Sequence, residues 1–314
     1  MANKMVILIT GSDLADQAVA MLGDYELVYA GRQPTEEQLT ALCEQHNPAA
    51  ILVRYGKITA RIMDAAPALK VISKHGSGID VIDQAAAAER GIAVCSAPGA
   101  NAAAVAEHTW ALILACAKSV VTLDKRLREG HWDKATHKSL ELEGLTLGLI
   151  GLGAIGSRVA TVGNAFGMRV LAYDPFAKTM PLSCEREETL NGLLSRSDVI
   201  SLHCPLTAEN RAMINTDTLA HCKRGAILVN TARGGLIDDN ALISALDEGI
   251  VRSAALDSFN VEPLTVPHRW QTREDVIISP HIGGVSDASF VKMGTVAAGN
   301  ILQVLNRTTA AVTS

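Results

Sequence analysis

Leu145-Thr-Leu-Gly-Leu-Ile150 runs directly into Gly151-Leu-Gly153-Ala-Ile-Gly156, and Ser157 to Phe166 continues with helical spacing. The first run reads as a buried strand. A second apolar run, Arg169-Val-Leu-Ala-Tyr173, ends at Asp174. A bare G-x-G-x-x-G also occurs as an ordinary glycine-rich turn. Strand, turn, helix and second strand with an acid at its tip make it the signature of a dinucleotide site. Gly151 permits the tight turn, Gly153 lets a pyrophosphate approach the backbone, and Gly156 lets helix and strand pack closely. The helix N-terminus offers N–H groups and partial positive charge to that pyrophosphate. Asp174 accepts ribose hydroxyls and repels a 2′-phosphate, so the expected cofactor is NAD rather than NADP.

Downstream of this unit the alternation continues. Strands are predicted at Asp198 to His203, Ala226 to Asn230, Ser253 to Leu256 and Val276 to Ile278, with helices near Glu187 to Ser195, Thr216 to His221 and Asp239 to Glu248. With Thr146 to Ile150 and Arg169 to Asp174 this makes a doubly wound domain of six β segments. Upstream, short β-like runs at Met5 to Thr10, Glu26 to Ala30, Ala50 to Arg54, Lys70 to Lys74 and Ala93 to Ser96 alternate with helical stretches, which argues for a second parallel sheet covered on both faces. Between the two series Asn101 to Arg128 reads as one long helix, with Asn101 as N-cap and Gly130 as stop. Ser286 to Leu305 reads as a last helix that returns to the first domain.

The chain's 314 residues, 48% hydrophobic and 19% charged, supply core enough for two such domains. A formal net charge of -5 and an aromatic content of 4% give no support for nucleic-acid binding. The cysteines, Cys43, Cys95, Cys116, Cys184, Cys204 and Cys222, form no C-x-x-C pair and read as reduced thiols of a cytoplasmic protein. The apolar run after Met1 is better explained as a first strand than as a signal peptide, and Trp110 to Cys116 is too short to span a bilayer, so no membrane partner is expected.

Three polar residues stand just beyond predicted strands of the second series: Arg233, Glu262 and His281. In an open parallel sheet ligands sit at the carboxyl ends of the strands, so all three converge on one end of the dinucleotide. A guanidinium holds a carboxylate through two parallel hydrogen bonds. A histidine is the donor suited to protonating a carbonyl oxygen near neutral pH, and a carboxylate beside it raises its pKa and sets its tautomer. Singly, each has an ordinary explanation as an ion pair, a cap or a loop acid. Behind a dinucleotide fold they read as a catalytic set.

With these residues the chain resembles the D-2-hydroxyacid dehydrogenases. The matching motifs are Gly151 to Gly156, Asn230-Thr-Ala-Arg-Gly-Gly-Leu-Ile-Asp238, Asp257-Ser-Phe-Asn-Val-Glu-Pro263, Ser279-Pro-His-Ile-Gly-Gly284, Lys74-His-Gly-Ser-Gly-Ile-Asp80 and Val105-Ala-Glu-His-Thr109. The resemblance implies an α/β protein of two doubly wound parallel-sheet domains, a Rossmann cofactor domain (100–282) inserted into a flavodoxin-like substrate domain (1–99 and 283–314). It implies Arg233 as substrate anchor, His281 as acid/base and Glu262 as its partner, and a homodimer formed through Asn101 to Leu145.

It also implies a wider cofactor set. Val105 lies against the nicotinamide and Asp257 on its carboxamide, while His203, Cys204 and Pro205 cover the adenine. Ala154, Ile155, Thr231, Ala232, Arg233, His281 and Gly283 complete the contacts. On the substrate side the backbone N–H groups of Ser77 and Gly78 bind the carboxylate, with Arg54, Tyr55 and Lys74 nearby. His203 and Cys204 are adjacent strand residues pointing to opposite faces, so no metal site is expected.

The expected reaction is hydride transfer between a nicotinamide and a small 2-oxo or D-2-hydroxy acid of the 3-phosphoglycerate or hydroxypyruvate/glyoxylate type. Arg54, Lys57 and Lys74 are the cations that would hold a second anionic group, phosphate or sulfonate. Tyr55-Gly56 and Val81 depart from the phosphoglycerate pattern. No regulatory extension follows the last helix, so feedback through such a domain is not expected. The alternatives are an NAD-sensing, corepressor-like binding protein and a formate- or phosphite-type dehydrogenase of the same fold.

Overall fold

The computed structural model describes residues 4–312 apart from residue 182, with side chains to Arg307; the ends of the expected domains at 1–3 and 313–314 lie outside the described residues. The chain forms two compact units, Met1–Asn101 with Val285–Ser314, and Ala102–Gly284.

The first unit alternates β1 (Val6–Ile9), α1 (Asp16–Met21), β2 (Glu26–Tyr29), α2 (Glu36–His46), β3 (Ala50–Val53), α3 (Ala60–Asp64), β4 (Val71–Lys74), α4 (Gln84–Glu89) and β5 (Ala93–Cys95). Its strands are parallel in the order β2-β1-β3-β4-β5. The central β3 is buried along its whole length, which is why it reads as an unbroken apolar run. α2 begins where Thr35 and Gln38 form a reciprocal capping box and ends at Asn47 in the left-handed conformation.

The second unit opens with α5 (Ala102–Lys118) and α6 (Val120–Arg128) and continues through β6 (Thr146–Ile150), α7 (Ala154–Ala165), β7 (Arg169–Tyr173), β8 (Glu185–Arg186), α8 (Leu190–Arg196), β9 (Val199–Leu202), α9 (Thr216–Leu219), β10 (Ala226–Asn230), α10 (Asp239–Asp247), β11 (Val251–Leu256) and β12 (Val276–Ile278). All its strands are parallel, in the order β12-β11-β10-β9-β6-β7-β8. The winding reverses between β6 and β9, and that reversal opens the crevice in which Rossmann sheets hold their ligands.

Two expectations change. The long helix from Asn101 to Arg128 is two helices bent by 59° at Ser119, which takes the left-handed conformation (φ 54). No glycine or proline marks the break, so the apolar spacing runs through it. The sheet has a seventh strand, β8, which pairs Glu185 with Leu171. It lacks an apolar pattern and is held by charge: Glu185 bridges Arg169 (2.5 Å) and Arg196 (2.8 Å), and Arg196 also pairs with Glu187.

The last helix, α11 (Asp287–Val312), belongs to the first unit, where it packs on α1 and β4. Its stretch Asp287–Arg307 is long and apolar enough to cross a membrane (mean hydropathy 1.2), yet Ala297, Ala298 and Ile301 are fully buried in the core of that unit. Burial against a sheet accounts for the apolar composition.

Candidate active site

The turn after β6 is shaped by contact. Gly151 has φ +94, and a Cβ there would lie 2.8 Å from the His203 carbonyl carbon; a Cβ on Gly156 would lie 2.3 Å from the Gly151 oxygen. The two glycines therefore let the loop after β9 and the start of α7 close on the turn. A Cβ on Gly153, by contrast, would meet nothing within 4 Å, and α7 starts there with no side-chain cap. The first N–H groups of a twelve-residue helix thus face open space beside a glycine backbone. Asp174, at the end of β7, accepts the Leu152 N–H on Oδ2 (2.8 Å) and the Phe176 and Ala177 N–H groups on Oδ1 (2.9 and 3.1 Å). Its carboxylate is tied to the glycine turn itself. These residues fit a dinucleotide, with the pyrophosphate at Gly153 to Gly156 and a ribose at Asp174.

His203 and Cys204 leave β9 beside this turn. His203 Nε2 pairs with Ser201 Oγ at 2.9 Å, and burial pushes its pKa down to about 3, so the ring is neutral. Burial pushes the Cys204 thiol up to about 11. Asn210 closes the loop by donating to the Pro205 carbonyl (2.7 Å). Among the described residues no cluster of three or more His, Cys, Asp or Glu side chains could hold a metal ion.

At the same sheet edge the loops after β10, β11 and β12 bring Arg233, Glu262 and His281 together. His281 Nδ1 lies 2.7 Å from Glu262 Oε2, and Glu262 Oε1 accepts the Phe259 N–H (2.8 Å). The hydrogen bond that His281 donates to Glu262 raises the His281 pKa, against the opposing pulls of burial and of the Arg233 charge. Burial alone would raise the Glu262 carboxyl, but His281, the Phe259 N–H and Arg233 together hold it below its ordinary range. The guanidinium thus acts electrostatically on both partners. Arg233 Nη1 donates to the Ala232 carbonyl (2.8 Å).

Of the groups that position this set, Asn230 and Thr109 carry no role in the sequence reading. Asn230, fully buried, accepts the Ala232 N–H and donates to the Arg233 carbonyl, each at 2.9 Å, so it shapes the backbone on either side of the guanidinium's attachment. Thr231 Oγ1 meets Thr109 Oγ1 at 2.9 Å, and Thr109 donates back to the Val105 carbonyl, which ties α5 to the same loop. Val105 itself is buried in α5.

Asp257, 2% exposed, accepts Ser279 Oγ (2.6 Å) and Ile282 N (2.9 Å) on Oδ1 and Gly283 N (2.8 Å) on Oδ2. His108 Nε2 stands 3.0 Å from Ser279 Oγ and 3.4 Å from Asp257 Oδ1. The carboxylate expected on the carboxamide therefore also holds the turn that carries His281. His108 and Ser279 lie within the quoted motifs, but their spacing in sequence does not reveal that they meet.

In the first unit, Ser77 and Gly78 follow β4 on a loop whose Gly76 carbonyl accepts the Ala97 N–H (2.8 Å). Ser77 Oγ is within 3.3 Å of the Ala97 carbonyl and Asn101 Oδ1. The N–H groups of Ser77 and Gly78 have no hydrogen-bond partner among the described residues. Arg54 is ion-paired with Asp13, Tyr55 is exposed, and Lys74 Nζ donates to the Arg54 carbonyl (2.9 Å).

Residues 110–283 match the family described as D-isomer specific 2-hydroxyacid dehydrogenase, NAD binding domain. The chain is 39% identical over 305 residues to the D-3-phosphoglycerate dehydrogenase of Methanocaldococcus jannaschii, covering 96% of this chain and 58% of that protein. It is 45% identical over 229 residues to the hydroxypyruvate reductase of Thermotoga maritima, covering 72% of this chain and 74% of that one. The chain thus spans little more than half the length of the phosphoglycerate dehydrogenases it matches. Among solved structures, the TT0316 protein of Thermus thermophilus superposes with a TM-score of 0.88 at 38% identity, covering 96% of this chain and 97% of that one. The D-lactate dehydrogenase of Aquifex aeolicus, complexed with NAD and lactic acid, gives 0.84 at 30% identity, covering 96% and 95%. The chain belongs to the D-isomer specific 2-hydroxyacid dehydrogenase family.

Proposed function

We propose that this chain is an NAD-dependent oxidoreductase that interconverts a small 2-oxo acid and the corresponding D-2-hydroxy acid. The observation that carries the reading is the 2.7 Å contact between His281 Nδ1 and Glu262 Oε2, within the electrostatic reach of Arg233, at the sheet edge that also bears the glycine turn.

NAD, when bound, supplies or accepts the hydride. The protein's own groups do the rest. Arg233 holds the substrate carboxylate by paired hydrogen bonds and draws charge from the adjoining carbonyl. In the first unit, the Ser77 and Gly78 N–H groups, without partners among the described residues, are suited to an anionic substrate group. With Nδ1 committed to Glu262, His281 presents Nε2, which donates a proton to the carbonyl oxygen in reduction and takes one from the hydroxyl in oxidation. Glu262 favours the protonated ring and fixes its tautomer. Gly153 to Gly156 hold the pyrophosphate, Asp174 the ribose, His203 to Pro205 the adenine side, and Val105, Thr231, Ala232, Asp257 and Gly283 the nicotinamide side.

A homodimer fits the surface of α6. No residue of that helix is buried, and Val120, Val121 and Leu127 are exposed, as is Trp132 beyond it. Exposed apolar side chains grouped in this way call for a partner, and a second copy of the chain supplies a self-complementary one. Sedimentation as a monomer would count against this assembly. The six free cysteines support a cytoplasmic location.

The test is oxidation of NADH with a panel of 2-oxo acids. Arg233→Ala and His281→Ala should each cost about 10²–10⁴-fold in kcat/KM. Full activity in both variants would reject the assigned roles.

A further inference from the structure

Thr10 is fully buried at the end of β1. Its hydroxyl accepts the N–H groups of Arg54 (3.0 Å) and Tyr55 (3.1 Å) and donates to the Tyr55 carbonyl (2.6 Å). The chain therefore leaves β3 along a set path. Because β3 and β4 are parallel neighbours, Arg54 and Tyr55 stand at the same sheet edge as the loop from Lys74 to Gly78.

The Arg54 charge is already answered there. Its Nη1 is ion-paired with Asp13 Oδ1 and also donates to the Asp13 main-chain carbonyl at 2.7 Å. The guanidinium carbon lies 4.8 Å from the Phe290 ring centre and 5.2 Å from that of Tyr55, so two aromatic side chains flank it. The pair is asymmetric: the arginine side chain is 11% exposed and the aspartate 62%. An anion approaching Arg54 from solvent meets the carboxylate of Asp13.

The other cations of this edge do not replace it. Lys74 Nζ points inward, to the carbonyls of Arg54 (2.9 Å) and Val53 (3.4 Å). His75 is neutral, its pKa pushed down to about 4 by burial and by the charges of Arg54 and Lys74. Lys57, and Arg32 beyond β2, are exposed, and a solvated cation holds an anion weakly.

We propose that Asp13 sets the substrate class by neutralising Arg54, so that the acid taken by this site ends in hydrogen or a hydroxyl-bearing carbon and not in a phosphate or sulfonate. The inference rests on the reading of the chain as a 2-oxo acid reductase. A phosphate gains most from an unshared guanidinium through charge-assisted, bidentate bonds. Here it would compete with Asp13 for the guanidinium and stand beside a like charge. A hydroxyl needs only a hydrogen bond, and a paired guanidinium still provides donors for one.

The experiment compares kcat/KM for hydroxypyruvate and for its phosphorylated counterpart, with NADH, in the wild type and in Asp13→Asn. The wild type should favour hydroxypyruvate by about tenfold or more. Asp13→Asn should move the ratio toward the phosphorylated acid by about tenfold, through its KM. A wild type that prefers the phosphorylated acid, or a ratio unmoved by Asp13→Asn, overturns the proposal.

Should Asp13→Asn fail to fold, salt decides on the wild type. A phosphate held by a free cation loses affinity as salt rises, whereas one repelled by an exposed carboxylate gains. The carboxylate is common to both acids, so the ratio of the KM for the phosphorylated acid to that for hydroxypyruvate isolates the phosphate: a ratio that rises with salt overturns the proposal, and one that falls supports it. Turnover of no acid at all would defeat the proposed function instead. The selectivity is then read by equilibrium binding to the NAD-loaded protein: tighter binding of D-glycerate than of 3-phospho-D-glycerate supports it, and the reverse order overturns it.

Discussion

His281 reaches Glu262, 2.7 Å away, from a backbone in the left-handed region (φ 54). A side chain other than glycine, asparagine or aspartate seldom adopts that conformation without compensation. Here the compensation comes from Asp257, whose buried carboxylate takes the N–H groups of the next two residues, Ile282 and Gly283. The strain and its restraint together aim the imidazole at its acid.

Glu262→Gln should shift the pH profile of reduction. Reduction needs the protonated imidazole, so kcat/KM falls as pH rises through the His281 pKa, which Glu262 holds above its ordinary value. In the variant only burial and the Arg233 charge remain as the leading influences, and both lower it. The descending limb should therefore move to lower pH, measured in initial rates across pH 5 to 9. An unmoved limb would mean that His281 is not the proton donor.

The same pair carries a stability signature of definite sign. The raised pKa of His281 contributes stability that is fully present below the ordinary imidazole value and lost as pH rises through the folded one. The lowered pKa of Glu262 contributes stability present above the ordinary carboxylate value and lost as pH falls through the folded one. The Tm difference between wild type and Glu262→Gln should thus be largest between about pH 4.3 and 6.5 and shrink on both sides. Thermal melts across that range check it; a difference that grows above pH 8 would contradict it.

Asn230→Ala should weaken both the fold and the site. The variant strands the Ala232 N–H and removes one of the donors to the Arg233 carbonyl, which keeps the Leu236 N–H. Leaving such a group unmatched costs about 1–3 kcal/mol. Tm should fall, and KM for the 2-oxo acid should rise more than kcat falls, because the guanidinium loses its fixed base. A KM unchanged beside a lowered Tm would confine Asn230 to a structural part.

Asp174→Ala should erase the preference for NADH over NADPH. Hydrogen bonds to a charged group are worth about 1.5–3 kcal/mol, so NADH affinity should drop roughly tenfold or more while NADPH binding holds or improves. Fluorescence titration of each nucleotide reads this without turnover. Equal affinities for both in the wild type would overturn the assignment of Asp174.

Much of the site could be read along the chain because its signals are local. The glycine spacing, the acid at the tip of β7, and a polar residue just past each of β10, β11 and β12 all follow from strand ends, and in a parallel sheet every such end lies on one edge. The bend at Ser119 and the strand β8 escaped the same reading, since neither changes the apolar spacing that marks an element.

Sequence by itself determined the two parallel α/β sheets and the dinucleotide turn, and singled out Arg233, Glu262 and His281 as candidates, because apolar period and motif spacing act over a few residues. Only the tertiary structure decided that Asp13 answers Arg54, 41 residues away, and that Ser279 meets His108 across 171 residues and Asp257 across 22. Such pairings depend on how separate loops pack at one sheet edge, and no short-range preference encodes which distant side chain will share a charge or a proton.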